Sequence, residues 1–269
     1  MVTLANNLPQ RKTLESAARA VSAAGVEAIL YKGQDYLDRI YGDVGARTMA
    51  DVDLLIRPRD LRATRRALLD AGFHHVPDSR THHEFKFVRD EVAVDVHTQL
   101  ISGNRMRVDM AGLFARSLPS PVDGLRSLEA TDATLVHCIA QTVKGYHVPA
   151  SSYFELQWLL ARADHRALRA RAIAWRATAC LYASMRALCD IGNRAAAMLV
   201  RRLPVAAPRR AALDQLVRCF SLHTSYAVAP PRAVLLLAKF ALVDRTLDGL
   251  RFVSQWAAWQ VAPSPVLRC

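Results

Sequence analysis

The sequence lacks any cysteine pattern that could hold a metal ion or link a small fold through disulfides. Its five cysteines include no Cys-x-x-Cys pair and no paired metal-ligand spacing. We therefore expect reduced thiols in a cytoplasmic protein. The histidine pairs at 74–75 and 82–83 lack supporting ligands at a convincing spacing, so a zinc site is not predicted either.

Long hydrophobic runs are also missing. The longest, such as residues 233–238, which Lys239 ends, are too short to cross a bilayer. The first seven residues lack the apolar segment of a secretory signal peptide. We therefore expect no membrane partner.

The positive charge of the chain is unevenly distributed. Residues 1–100 contain 14 Lys and Arg against 14 Asp and Glu, whereas residues 101–269 contain 22 against 10 and hold the whole net charge of +12. Such an excess can mark a polyanion or phosphate-bearing ligand. It can equally reflect solvated helix faces, because the arginines are scattered and not grouped with aromatic residues.

The periodicity of the sequence predicts an α+β protein. Alternating patterns typical of strands occur up to about residue 98, and helical periodicity dominates from about residue 109 onward. We predict a small mixed β-sheet core with flanking helices at residues 1–120 and an all-helical, Arg-rich domain at residues 121–269. The predicted strands lie at residues 27–31, 52–56, 82–88 and 92–98. The predicted helices lie at residues 12–24, 34–41, 59–70, 131–144, 152–161, 165–176, 178–190, 191–202, 208–221 and 231–259.

Two acids two residues apart are the strongest chemical signal. Because side chains alternate along a strand, Asp51 and Asp53 point to the same face of the sheet. In the predicted hairpin, Asp95 shares a strand face with His97. Carboxylates placed side by side repel each other unless a cation neutralises them, and three on adjacent strands can hold two Mg²⁺ ions.

The order of these motifs resembles a known family. The segments Leu30-Tyr31-Lys32-Gly33, Arg47-Thr48-Met49-Ala50-Asp51-Val52-Asp53-Leu54-Leu55-Ile56 and Val94-Asp95-Val96-His97 are similar to the bacterial uncharacterised nucleotidyltransferase family. That family belongs to the nucleotidyltransferase superfamily related to DNA polymerase β. The resemblance covers residues 10–100 best, and it implies a small mixed sheet followed by a helical domain.

The resemblance also implies functions for individual residues. Asp51, Asp53 and Asp95 would be metal ligands and catalytic carboxylates, with Asp95 a candidate general base. Gly33 would line the triphosphate loop. Lys32 would contact phosphate, or would only be a solvated residue of the turn.

Three further residues leave alternatives open. Arg47 would contact phosphate, or would only pair with Asp51 or Asp53 and hold its loop. Gln34 stands in the phosphate loop where the wider superfamily has Gly or Ser, which weakens the prediction of phosphate binding there. For His97, a hydrogen bond within the fold is favoured over metal ligation.

The function implied is Mg²⁺-dependent transfer of a nucleoside monophosphate from an NTP to a hydroxyl or phosphate acceptor. The acceptor would be a small molecule, peptide, protein or RNA, and a tailoring reaction on a natural product is one form of this. The alternatives are a non-catalytic or antitoxin-type binding module of the same fold and a basic nucleic-acid-binding protein.

Overall fold

The computed structural model of the protein describes residues 2–49, 51–77, 83–101, 106–143, 149–220 and 242–245. These residues divide into two compact units. The first contains described residues up to 101 and residues 109–129, and the second contains residues 106–108 and the described residues from 130 to 245. Independent domains at 1–120 and 121–269 stay a prediction.

The first unit is a mixed sheet with helices. Its sheet has the strand order β3-β4-β5-β2-β1-β7-β6. Strand β2 runs parallel to β5 and β1 parallel to β7, while the other neighbours are antiparallel. The elements are α1 Val2–Ala23, β1 Ile29–Leu30, α2 Gly33–Tyr36 with a π-helical continuation Leu37–Tyr41, β2 Asp51–Leu55, a 3-10 turn Pro58–Asp60, α3 Leu61–Asp70, β3 His74–Val76, β4 Glu84–Arg89, β5 Val92–His97, α4 Met110–Arg116, β6 Leu118–Pro119 and β7 Arg126–Ser127.

The predicted α+β class is confirmed, and so is the hairpin of β4 and β5. Asp90 and Glu91 form its two-residue turn with φ angles of 50° and 63°, the left-handed geometry that a tight hairpin requires. His82, where the first arm was predicted to begin, lies outside the described residues. The two-residue strands β6 and β7 were not predicted, because they are too short to show an alternating pattern.

The core of this unit lies between α1 and one face of the sheet. Residues at helical spacing on α1 (Leu14, Ala17, Ala18 and Val21) are almost fully buried. They belong to one core cluster with strand residues that include Val52, Leu54, Val94 and Val96. Because side chains alternate along β2 and β5, burying these apolar residues turns the acids to the opposite face.

The second unit is helical in its described part. Its helices are α5 Ala130–Val143, α6 Ala150–Leu160, α7 His165–Ala174, α8 Thr178–Asp190, α9 Arg194–Arg202 and α10 Ala207–Phe220. Side chains cap two of them: Asp164 accepts from Arg166 and Ala167 at the start of α7, and Asn193 does the same for α9.

Two findings bear on the remaining predictions for the helices. Most of the helix predicted at 231–259 lies outside the described residues. No helix in the described part of the chain is both long enough and apolar enough to span a bilayer.

Candidate active site

The acids of β2 and β5 lie side by side. The parallel register pairs Asp53 with Asp95 and Asp51 with Ala93. This register puts Asp95 on the face of the sheet that carries Asp51 and Asp53. Strand β4 continues this row on the other side of β5, because its register places Lys86 opposite Asp95.

Two basic side chains hold Asp53. His97 Nε2 donates to Asp53 Oδ1 over 2.9 Å, and Lys32 Nζ lies 3.4 Å from the same oxygen. Burial raises the pKa of Asp53, but the charge of Lys32 and the hydrogen bond from His97 together hold it well below its usual range. Asp53 is therefore ionised at neutral pH.

Asp95 is less well satisfied. It is 5% exposed, and its Oδ1 is buried with no hydrogen-bond partner among the residues that the structure describes. Lys86 Nζ lies 3.8 Å from that oxygen, close enough for an ion pair but too far for a hydrogen bond. Burial raises the pKa of Asp95 to about 6; the charge of Lys86 opposes the rise, whereas Glu84, Asp51 and Asp53 add to it.

The turn after β1 brings Lys32 to the acids. Lys32 has φ 61° and ψ −150°, a conformation that non-glycine residues rarely adopt. Its ammonium group lies 4.5 Å from the ring centroid of Tyr31. Tyr31 in turn packs edge-on against the His97 ring at 5.5 Å. The turn, the acid strand and β5 therefore meet around Asp53.

Gly33 of this turn lies against the end of the Met49 side chain. A Cβ atom on Gly33 would lie 2.1 Å from Cε of Met49. Gln34 turns its side chain into the interior, where it is 1% exposed and its Nε2 lies 3.4 Å from Oε1 of Gln10 on α1. The Gln34 side chain is thus not on the face that carries the acids.

The loop before β2 is held by α1. Asn7 Nδ2 donates to the carbonyl oxygens of Val44 and Arg47, both at 2.6 Å. Asn7 Oδ1 accepts from the Met49 amide at 3.2 Å, and Gln10 Nε2 donates to the Met49 carbonyl at 2.9 Å. The Arg47 side chain is half-buried.

The carboxylates do not form a closed metal cage. Among the residues that the structure describes, no three His, Cys, Asp or Glu side chains converge closely enough to hold a metal ion as they stand. The donor chemistry nevertheless fits Mg²⁺, since Asp53 and Asp95 present neighbouring oxygen ligands and one Asp95 oxygen is unsatisfied.

Sequence reasoning missed two charged residues of β4 on this face. Lys86 pairs in register with Asp95, and Glu84 pairs with His97. The available signal was the alternation of Glu84 and Lys86 with Phe85 and Phe87, which predicts that the charged pair faces away from the core. The alternation alone does not reveal the strand register, and it is the register that aligns Lys86 with Asp95.

His137 and Glu155 are polar residues in the interior of the helical unit. His137 Nε2 lies 2.8 Å from Ser152 Oγ and 2.9 Å from the Ser152 carbonyl oxygen. Glu155 is 1% exposed. Both are buried residues of the second unit, and the hydrogen bonds of His137 link α5 to α6.

Comparison with known proteins gives one family match. The profile of a family described as uncharacterised nucleotidyltransferase matches residues 2–190. No curated protein matches the sequence at a significant level.

Two solved structures of ANT(2'')-Ia also match. The solution structure of this antibiotic-resistance factor is 12% identical over 62% of this chain and 91% of that chain, with a TM-score of 0.46. The crystal structure of ANT(2")-Ia with adenylyl-2"-tobramycin is 11% identical over 62% and 97%, with a TM-score of 0.47. Similarity at this level adds nothing to the family match.

Proposed function

The chain belongs to the uncharacterised nucleotidyltransferase family, and from this premise we propose that the acids of β2 and β5 form its catalytic site. The proposed reaction is Mg²⁺-dependent transfer of a nucleoside monophosphate from an NTP to a hydroxyl or phosphate acceptor. The observation that carries the proposal is the pairing of Asp53 with Asp95 on one face of the sheet, with Oδ1 of Asp95 unsatisfied.

Nucleotidyl transfer needs several carboxylates close together, which can bind Mg²⁺ ions beside the triphosphate of the NTP. Asp51, Asp53 and Asp95 would be the ligands, and bound Mg²⁺ would neutralise charge on the phosphate oxygens. Asp53 suits this purpose because Lys32 and His97 keep it ionised and fix one of its oxygens.

The transfer itself makes one bond and breaks one. The acceptor oxygen forms a bond to the α-phosphorus, the bond from that phosphorus to the bridging oxygen breaks, and pyrophosphate leaves. When the acceptor is a hydroxyl, its proton passes to a base, for which Asp95 is the candidate. Lys32, Gly33 and Gln34 of the turn, and Arg47 of the preceding loop, are the proposed contacts to the donor, with Gln34 limited to its backbone because its side chain is buried.

The chemical class of the acceptor is a further part of the proposal. A small-molecule or peptide natural product is one candidate. An RNA acceptor is favoured by one observation: the described residues of the helical unit contain 14 arginines against six acids. A polyanion would be attracted to such a surface in a salt-dependent way.

Substituting the acids tests the proposed site. We expect Asp51→Asn and Asp53→Asn each to abolish Mg²⁺-dependent pyrophosphate release from NTPs incubated with the purified protein and a cell extract. Asp70→Asn, at an exposed position at the end of α3, is the matched control. Unchanged release in both acid variants, with melting temperatures close to that of the unsubstituted protein, would contradict the proposal.

Ligand binding separates the enzyme from a purely electrostatic binder. We expect an NTP to raise the melting temperature only when Mg²⁺ is present, because ligand and metal would bind together. Equal stabilisation by any polyanion, lost at moderate salt, would instead support a basic nucleic-acid-binding protein. Mass spectrometry of the modified acceptor then distinguishes an added nucleoside monophosphate from an added phosphate.

A further inference from the structure

Lysine is scarce in this chain, and its placement is uneven. The sequence has five lysines against 31 arginines. Of the three lysines that the structure describes, Lys32 and Lys86 lie beside the acids of the candidate site. Lys32 already belongs to the proposed donor site, whereas Lys86 has no function in it.

Lys32 and Lys86 flank the acid pair from opposite sides. Across the sheet the charged groups follow the order Lys86 on β4, Asp95 on β5, Asp53 on β2 and Lys32 after β1. The two lysines thus compensate two carboxylates that would otherwise repel each other across neighbouring strands.

The carboxylates of Asp53 and Asp95 differ in the strength of their contacts with basic side chains. Asp53 accepts a hydrogen bond at 2.9 Å from His97 and has Lys32 at 3.4 Å. Within the described part of the chain, the one polar contact of Asp95 Oδ1 is the 3.8 Å ion pair with Lys86, whose side chain is 37% exposed on a flexible stem. An ammonium group at that distance can move away and leave the oxygen to another cation.

We propose that Lys86 is the resident counter-ion of Asp95, and that a divalent cation takes its place when the site is loaded. Lys86 would therefore lower the affinity of the site for the metal and keep the acid pair stable without it. This inference rests on the proposed function, because it assumes that the acids bind a divalent cation.

The choice of lysine over the more abundant arginine agrees with this inference. A guanidinium group binds a carboxylate through two parallel hydrogen bonds and would compete persistently for both oxygens. An ammonium group is a compact point charge and does not form this pair of parallel hydrogen bonds. It neutralises Asp95 while leaving the carboxylate open to an incoming ligand.

Mn²⁺ binding, measured by the loss of its free-ion electron paramagnetic resonance signal, tests the inference. We expect Lys86→Met to bind Mn²⁺ on the order of tenfold more tightly than the unsubstituted protein, since one nearby positive charge is removed. Lys86→Arg keeps the charge and should bind no more tightly than the unsubstituted protein. Lys12→Met, at an exposed position on α1, is the control and should leave the affinity unchanged.

Thermal melting gives a second, independent readout. In EDTA, Lys86→Met should melt at a lower temperature than Lys12→Met, and added Mn²⁺ should raise its melting temperature more. Mn²⁺ affinity in Lys86→Met equal to that of Lys12→Met would overturn the inference while leaving the proposed function intact. If the unsubstituted protein binds no Mn²⁺, or binds it equally well as Asp53→Asn, both the inference and the proposed site are wrong.

Discussion

Replacing Asn7 with alanine tests whether α1 holds the loop that leads into the acid strand. Asn7 is fully buried, and its amide makes three hydrogen bonds to backbone groups of residues 44–49. Alanine removes all three bonds and leaves no side-chain group to replace them. Gln10 would still donate to the Met49 carbonyl, so the loop would keep that one side-chain hydrogen bond to α1.

The size of the effect follows from where the three backbone partners lie. The carbonyls of Val44 and Arg47 belong to half-buried residues that water can reach, so each lost bond should cost about 1 kcal/mol. Met49 is 8% exposed, so losing the hydrogen bond from its buried amide should cost somewhat more than about 1 kcal/mol. We expect the free energy of unfolding to fall by about 3 kcal/mol, and the melting temperature by roughly 5 to 10 °C.

Urea unfolding of Asn7→Ala and Asn6→Ala measures this difference. Asn6 is the neighbouring residue of the same type on α1 and is exposed, so its variant controls for the change in helix propensity. The midpoint should shift only for Asn7→Ala, with an unchanged slope. A loss of under about 1 kcal/mol, similar for both variants, would refute the anchoring of this loop by Asn7.

Three more predictions concern packing, pH and capping. Gly33→Ala should destabilise the protein by only about 1 kcal/mol, because the added Cβ meets Met49 Cε, the end of a flexible side chain that can rotate away. Gly33→Ala/Met49→Ala should then be as stable as Met49→Ala in urea unfolding, and a loss that persists beside Met49→Ala would show that this contact is not the cause. Burial raises the pKa of Asp35 from 3.8 to about 6, so the native state binds this proton more tightly and the contribution of Asp35 to stability falls as pH rises from about 4 to 7. Urea unfolding across this range should show that fall in the unsubstituted protein and in Asp70→Asn, and a smaller one in Asp35→Asn; the same pH dependence in all three would contradict the assignment. Asn193→Ala removes the cap of α9 and should cost about 1 kcal/mol in urea unfolding, and no measurable loss would show that the cap is dispensable.

The features predicted from sequence are those carried by local periodicity. The buried face of α1 follows from apolar residues at helical spacing, and the common face of Asp51 and Asp53 follows from the two-residue repeat of a strand. The hairpin that presents Asp95 could be predicted because its two arms are close in sequence. The family resemblance rested on these same local segments, and the family match confirms it.

Features that depend on pairing between distant segments were beyond prediction. The alternation of β4 predicts a charged face, but only the register with β5 places Lys86 opposite Asp95. The inward turn of Gln34 toward Gln10 likewise depends on how α1 packs against the turn.

The sequence alone thus determined the acids, the strand that carries two of them, and the α+β class, because each is encoded within a few neighbouring residues. The tertiary structure decided which basic side chain faces which carboxylate. Lys32 and His97 reach Asp53 from two different segments, and Lys86 reaches Asp95 from a third. Strand register and chain packing set these distances, and both arise from contacts between residues far apart in the chain.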